Sequence, residues 1–482
     1  MNYSIIIYVL GWILNFEAAF MLLPCIVAAV YKEKAGYAYL IVALICLVLG
    51  LVITRKKPKN TSFYAKEGFV TVGLSWIVLS IMGAIPFVIS KDIPNFTNAL
   101  FETISGFTTT GTSILDNVEG LTHCSLFWRS FTHWIGGMGV LVFILAILKL
   151  VGGQTIHLMR AESPGPSVGK LVPRLKTTAI ILYVIYFTMT LIEFVLLLFA
   201  KMPVFDAIAT ALGTAGTGGF GIKNDSMASY SPAIQNIVTT FMILFGVNFN
   251  VYFLLLVKKP KEALKCEELR YYLGIILISA LLITINIKGM YSSFGEAFHQ
   301  SIFQVGSIIT TTGFSTVDFN YWPEFSKTIL VLLMFVGACA GSTGGGIKVS
   351  RVLILLKTLK KEINHFIHPR NVKKIKIEGK AIEHDVVRSV NVFLVAYFAI
   401  VVLSLLIVSL DNFDFTTNFT AIAATLNNIG PGLNLAGPAN NFNFFSPLSK
   451  YVMMFNMLAG RLEIFPILLL LCPAIWKNDI LK

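Results

Sequence analysis

Four stretches of small residues ending in glycine carry the most chemical information in this 482-residue chain. They read Thr108-Thr109-Thr110-Gly111, Gly216-Thr217-Gly218-Gly219, Thr310-Thr311-Thr312-Gly313 and, most degenerate, Asn427-Asn428-Ile429-Gly430. With the final glycines taken as equivalent, the separations are 108, 94 and 117 residues, so one unit of about a hundred residues is used four times. Glycine tolerates positive φ and adds no side chain, so such a loop can turn its peptide carbonyls toward one axis. Carbonyls from four loops around an axis make a cage that replaces the water shell of a dehydrated cation, the arrangement of a K⁺ filter. One loop of this kind is simply a turn; four in one register ask for a common purpose.

A second cluster lies after the third loop. Residues 337–346 read Gly-Ala-Cys-Ala-Gly-Ser-Thr-Gly-Gly-Gly, inside what should be a helix. Each glycine costs about 1 kcal/mol relative to alanine in a helix interior, so the helix is expected to break there. Gly337, Gly341, Ser342, Thr343, Gly344, Gly345 and Gly346 would then form a flexible loop below the filter that blocks or clears the path. Close helix packing through small residues is the competing reading, but packing motifs space their glycines. Lys348 ends this run and either bonds its exposed carbonyls or snorkels to the aqueous side. Arg461, in the last apolar segment, needs a wet interior or a partner at that depth; Glu463, two positions on, points to another helix face.

Other chemistries fail on spacing. The seven histidines form no His-Glu-x-x-His pair and no Gly-x-Ser-x-Gly elbow is present, so a membrane-embedded enzyme has no support. Gly341–Lys348 lacks the Gly-Lys-Ser/Thr ending of a phosphate loop. Six scattered cysteines show no C-x-x-C spacing, hence no zinc site or disulfide framework.

These residues need a membrane scaffold. At 56% hydrophobic and 13% charged residues, with mean hydropathy +0.76, the chain is an integral membrane protein. The net charge of +13 follows topology and not nucleic acid: 27 of 38 Lys/Arg fall in 55–67, 149–176, 258–270, 351–388 and 477–482. The positive-inside rule puts those segments, and both termini, in the cytoplasm. No basic n-region precedes the first apolar run, so the first span is expected to remain.

The expected fold is an all-α polytopic membrane protein with four helix, re-entrant half-helix, loop, helix repeats in pseudo-fourfold arrangement around a pore, plus an N-terminal two-helix hairpin, making about ten transmembrane helices. The divisions are 1–67 (hairpin and basic linker), 68–176, 177–270, 271–388 (carrying the 337–346 loop) and 389–482. The half-helices are expected at 96–107, 204–213, 295–309 and 415–426, too short to cross a bilayer and so obliged to dip in and return. Their C-termini face the centre, where the partial negative charge favours a cation. The last span of each repeat is expected at 126–150, 233–257, 327–357 and 449–476. Outward loops carry Asp92, Asp116, Glu119, Asp225, Asp318, Glu324, Asp411 and Asp414, either a mild acidic rim that concentrates cations or ordinary solvated loop surface.

Thr-Thr-Gly-Phe-Ser-Thr at 311–316, Thr-Gly-Gly-Phe at 217–220, Asn-Asn-Ile-Gly-Pro-Gly at 427–432 and the glycine-rich interruption in the third repeat resemble the Trk/Ktr/HKT superfamily of potassium transporters, in particular its bacterial TrkH-type branch. The resemblance implies that Gly111, Gly219, Gly313 and Gly430 are the filter glycines, and that glycine rather than serine at 111 goes with K⁺ and Rb⁺ over Na⁺. It implies that Arg461 lies near the pore beneath the filter, where its charge sets conductance. It further implies K⁺ as the permeating ion with no organic cofactor, a homodimer in lipid, a cytoplasmic nucleotide-binding (NAD/ATP-type) regulatory subunit and residence in the bacterial inner membrane. Coupling to H⁺ or Na⁺ is the alternative mechanism, with Glu17 and Glu193 as the carboxylates placed to serve it.

Overall fold

Asn2, Asn95, Ser231, Asn248, Ser293 and Ser446 each accept a backbone N–H of the helix that follows, and so fix where those helices begin. The computed structural model describes residues 1–59, 64–139, 175–370 and 374–476. The 140–174 stretch, with the end of the first repeat's last span and most of its basic loop, lies outside the described residues, as do 60–63, 371–373 and 477–482.

An N-terminal hairpin comes first, α1 (Tyr3–Tyr31) and α2 (Gly36–Thr54). Repeat one is α3 (Ala65–Ser90), α4 (Phe96–Phe107) and α5 (His123–Met138). Repeat two is α6 (Leu175–Phe199), α7 (Val204–Ala215), α8 (Pro232–Phe245) and α9 (Phe249–Leu256), followed by the short α10 (Pro260–Leu264). Repeat three is α11 (Glu267–Ile287), α12 (Phe294–Ile309), α13 (Glu324–Val336) and α14 (Val349–Ile367). A two-residue antiparallel ribbon, Lys376–Ile377 with Lys380–Ala381, leads into repeat four: α15 (His384–Val408), α16 (Phe415–Leu426), α17 (Pro447–Arg461), α18 (Phe465–Leu471) and α19 (Pro473–Trp476).

Among the described residues six helices are long and apolar enough to cross a membrane, and seven if the bent pair α8–α9 is one span. The last span of repeat three breaks as expected, between Val336 and Val349, whereas the expectation of unbroken last spans is corrected in repeats two and four. The 233–257 segment turns by 91° between α8 and α9, and α17 stops at Arg461, with Glu463 and Ile464 at φ +60° and +69° before α18. Ser231 and Ser446 cap α8 and α17, each with proline at the next position, where its missing N–H is unneeded.

Packing is cyclic. Within each repeat the half-helix touches both flanking spans, and the last span of each repeat packs on the half-helix of the next: α5 on α7, α8 on α12, α13 on α16 and α17 on α4. The hairpin lies outside this ring, against α3 and α5, through Ile13, Met21, Tyr39 and Val42, all fully buried. Its other face presents Leu44, Val48, Leu51 and Val52 outward, as lipid contact requires.

Candidate ion pathway and gate

The four half-helices end in the same way. At the position two before each loop glycine the backbone turns left-handed: Thr109 at φ +56°, Thr217 at +53°, Thr311 at +60° and Asn428 at +54°. The next N–H then reaches back five residues into the half-helix: Thr110 to Ser105 O (2.9 Å), Gly218 to Gly213 O (2.9 Å), Thr312 to Ser307 O (2.9 Å) and Ile429 to Ala424 O (2.9 Å). This is a Schellman-type stop, which consumes the loop's N–H groups internally. Its carbonyls are turned the other way. Apart from Gly216 O, which takes the neighbouring Thr217 hydroxyl (2.6 Å), no carbonyl of residues 108–111, 216–219, 310–313 or 427–430 accepts a hydrogen bond from the described residues. Most of these residues are fully buried, and buried carbonyls do not go unpaired without a ligand or water.

The loops close a ring. A Cβ built on Gly111 would run into Gly218 O, one on Gly219 into Thr312 O, and one on Gly313 into Ile429 O; on Gly430 it would stand 3.1 Å from Thr110 O. Each glycine therefore lies against the carbonyl just before the next repeat's glycine, in the order one, two, three, four, one. All four glycines also line a single cavity of about 180 Å³ that opens outward.

Beneath the ring sits the segment between α13 and α14. The helix stops at Gly337 (φ +72°) and resumes at Val349, with Gly341 (φ +68°), Gly346 (φ +76°) and Lys348 (φ +83°) all left-handed. Gly345 N donates to Thr311 Oγ1 (2.6 Å), and a Cβ on Gly345 would fall 2.5 Å from Asn427 O. Gly344 is equally close to Thr310 O, where a Cβ would stand at 2.8 Å. The segment is thus pressed against the third and fourth of the ringed loops. Thr343 Oγ1 donates to Phe245 O (3.2 Å) and Ser342 Oγ to Cys339 O (2.6 Å). The Lys348 ammonium, buried, donates to Gly344 O, so of its two expected roles it bonds the loop and does not snorkel. Arg461 reaches across from the fourth repeat to Thr343 O (2.8 Å), Gly136 O (2.5 Å) and Gly137 O (2.7 Å). Glu463 pairs instead with Arg351 on α14.

Comparison with known proteins fits this architecture. The TrkH family model, described as a cation transport protein, matches residues 37–478. The chain belongs to the TrkH family. It is 36% identical over 486 residues to the Trk system potassium uptake protein TrkH of Salmonella typhimurium, covering 99% of this chain and 100% of that one. It is 34% identical over 482 residues to the TrkG protein of Escherichia coli K12, covering 98% and 99%. The crystal structure of the potassium transporter TrkH from Vibrio parahaemolyticus superposes with a TM-score of 0.89 at 35% identity, covering 99% of this chain and 100% of that one. As a TrkH family member the chain is a membrane transport protein and not an enzyme.

This TrkH family chain carries a supporting shell that spacing alone did not reveal. Arg129 is buried on α5 and paired with Glu102 of α4 (2.7 Å), which also accepts from Ser113 Oγ (2.9 Å) and Ile114 N (3.0 Å). Arg129 goes on to Gly221 O (3.2 Å), joining the first two loops. His133 does the same with a neutral ring: Nδ1 donates to Gly106 O (2.8 Å) and Nε2 accepts from Phe220 N (3.2 Å). A polar residue nine before the loop glycine was the available signal, since Gln304 holds that place in repeat three and donates to Thr316 Oγ1 (3.2 Å).

Of the two readings of the acidic outward residues, ordinary loop surface describes most of them. Only Asp116 of the eight carboxylates lines the cavity, beside Arg129 and Lys223. Others serve as local acceptors: Asp92 for Thr122 and Ser125, Glu119 for Asn224 N, Asp318 for Asn320 N and Asp414 for Thr417 N.

Proposed function

We propose that the chain is a K⁺ uptake protein in which residues 108–111, 216–219, 310–313 and 427–430 are the selectivity filter and residues 337–346, with Lys348, are the gate. K⁺ enters from the outward cavity, sheds water onto the ringed carbonyls and passes inward when the loop moves off Thr310, Thr311 and Asn427. The observation that carries this reading is the set of buried loop carbonyls, all but Gly216 O turned from every described donor, and arranged four-fold. A bare monovalent cation is the ligand such oxygens suit. Inner electronegativity comes additionally from the half-helix C-termini. Arg461, with its guanidinium against Thr343 O, holds the blocking loop and opposes cations below the filter.

Further parts of the reading follow from family likeness and charge. The divisions at 67, 176, 270 and 388 separate the hairpin and four pore repeats, the basic inner loops and both termini face the cytoplasm, and the membrane is the bacterial inner membrane. A homodimer and a cytoplasmic nucleotide-binding regulatory subunit complete the assembly, in keeping with relatives named as parts of a Trk system.

The test is growth at low K⁺ of cells lacking K⁺ uptake. The parent chain should restore growth. Gly111→Ser, which puts a side chain into Gly218 O at φ +80°, should lower the Rb⁺ to Na⁺ uptake ratio severalfold. Absence of rescue by well-expressed parent protein refutes the assignment.

A further inference from the structure

Glu268 lies in the first turn of α11, where the basic segment 258–270 enters the membrane, and is 7% exposed. It belongs to none of the loops described so far. Its Oε1 nevertheless accepts two backbone N–H groups from the intramembrane segment: Ala340, in the descending limb of the loop (2.7 Å), and Ser350, the second residue of α14 (3.1 Å). Its Oε2 faces Asn248 Nδ2 (3.4 Å), whose own Oδ1 caps α9 by accepting from Asn250 N (2.9 Å). One carboxylate thus pins both ends of the excursion from 340 to 350 and ties them to the break in repeat two.

The chemistry suits a latch. A carboxylate is an acceptor-only group, and bonds from backbone N–H to an ionised oxygen are stronger than neutral ones. The Ser350 N–H is one of the orphan donors of α14's first turn, which a negative charge favours. The Ala340 N–H has no such claim and is the one that must let go if the loop swings away. Next door, Glu267 pairs with Lys357 on α14 (2.5 Å), and Lys357 also donates to Lys376 O in the ribbon (2.7 Å). Anything that displaces α14 or the ribbon on the inner side therefore pulls at the same point.

We propose that Glu268 is the positioning residue that holds the 337–346 loop in its blocking form, and that opening proceeds through release of the Ala340 N–H from Glu268 Oε1. The proposal rests on the gate reading above. It assigns to α11 a role in gating that neither the filter nor the loop residues carry.

The experiment uses the full chain in liposomes without any partner protein, with ⁸⁶Rb⁺ uptake and single-channel recording. Glu268→Ala should raise basal flux by roughly tenfold or more, through open probability, with unit conductance and Rb⁺/Na⁺ ratio as in the parent. Glu268→Gln keeps one oxygen for both N–H groups and should stay within about threefold of the parent. Ser350→Pro removes the Ser350 N–H together with its hydroxyl, in the first turn of a helix where proline is tolerated, and should raise flux even if Glu268→Ala fails to fold. Parent-level flux in folded Glu268→Ala and Ser350→Pro overturns the proposal, as does a rise accompanied by lost selectivity or a Gln variant as leaky as the Ala one. A variant lacking 342–345 separates the two readings. If it leaks while Glu268→Ala does not, only the latch fails; if it does not leak, the gate reading itself fails.

Discussion

Thr109, Thr217 and Thr311 hold β-branched side chains in left-handed backbone, a conformation that costs roughly 1–2 kcal/mol per residue for anything but glycine. Asparagine, the residue that tolerates it best, stands at the equivalent position in repeat four. Such strain persists only where surroundings over-determine it, and here the surroundings are the stop bonds within each half-helix and the shell behind it. The Glu102–Arg129 pair is the most exacting member of that shell, because both side chains are at most 2% exposed. Glu102→Gln strands the guanidinium and should destabilise the protein by about 3–5 kcal/mol. It should also lower the Rb⁺/Na⁺ ratio, since a single amide oxygen must then serve the Ser113 hydroxyl and the Ile114 N–H that two carboxylate oxygens serve in the parent. Adding Arg129→Gln should recover part of the stability but not the ratio, because Gly221 O stays untethered. Thermal unfolding in detergent and paired isotope uptake on the two variants check this.

At the scale of the element, each half-helix is fixed at both ends, and the outer end of α16 has a pH signature. Asp414 Oδ1 accepts from Thr417 N (2.9 Å) and Asn434 Nδ2 (2.9 Å). Partial burial works to raise this carboxyl, but those bonds and that of the Thr417 hydroxyl outweigh it and hold it below its ordinary 3.8. A depressed value contributes stability that is complete above the unfolded value and is lost as pH falls through the folded one. Thermal stability should therefore be level in this respect from pH 7 to about 5 and decline below about 4, with Asp414→Asn flattening the acid limb and Asp414→Ala costing about 1 kcal/mol at pH 7. For the loop, Gly345→Ala sets a methyl against Asn427 O and should raise basal ⁸⁶Rb⁺ flux severalfold; flux at the parent level would argue that the loop yields without moving off the filter. The half-helices were legible in sequence because each is a short, largely apolar run that ends in a loop closed by glycine, and three of the four start at a polar cap, Asn95, Ser293 or Asp414. The breaks after Phe245 and Arg461 were not, because Gly246-Val247-Asn248 and Leu462-Glu463-Ile464 interrupt otherwise continuous apolar runs by only a few residues. What bends them is tertiary: Tyr272 OH donating to Ile243 O (3.0 Å), Asn248 capping α9, and Glu463 drawn to Arg351. The same holds for Arg129, whose partner is 27 residues away on another helix.

At the scale of the molecule, one chain builds a ring from four unequal quarters, and the inequality is concentrated where repeat four meets repeat one, the loosest of the four glycine contacts. Nothing in that ring titrates. The two carboxylates that could couple uptake to protons lie elsewhere: Glu17 on α1, its Oε1 3.5 Å from where a Cβ on Gly83 would stand behind the first half-helix, and Glu193 on α6, fully buried. Neither lines the outward cavity or bonds a filter carbonyl among the described residues. An uncoupled pathway needs no relay, because 100 mV, inside negative, supplies about 2.3 kcal/mol per charge, enough for roughly a fifty-fold K⁺ gradient. In liposomes held at that potential, the parent and the Glu17→Gln/Glu193→Gln double variant should both accumulate Rb⁺ about fifty-fold, and a step in external pH should change neither. Accumulation that exceeds this limit, follows the pH step and disappears in the double variant would transfer the driving force from the membrane potential to a proton gradient, and with it the centre of the mechanism from the carbonyl ring to the helices behind it.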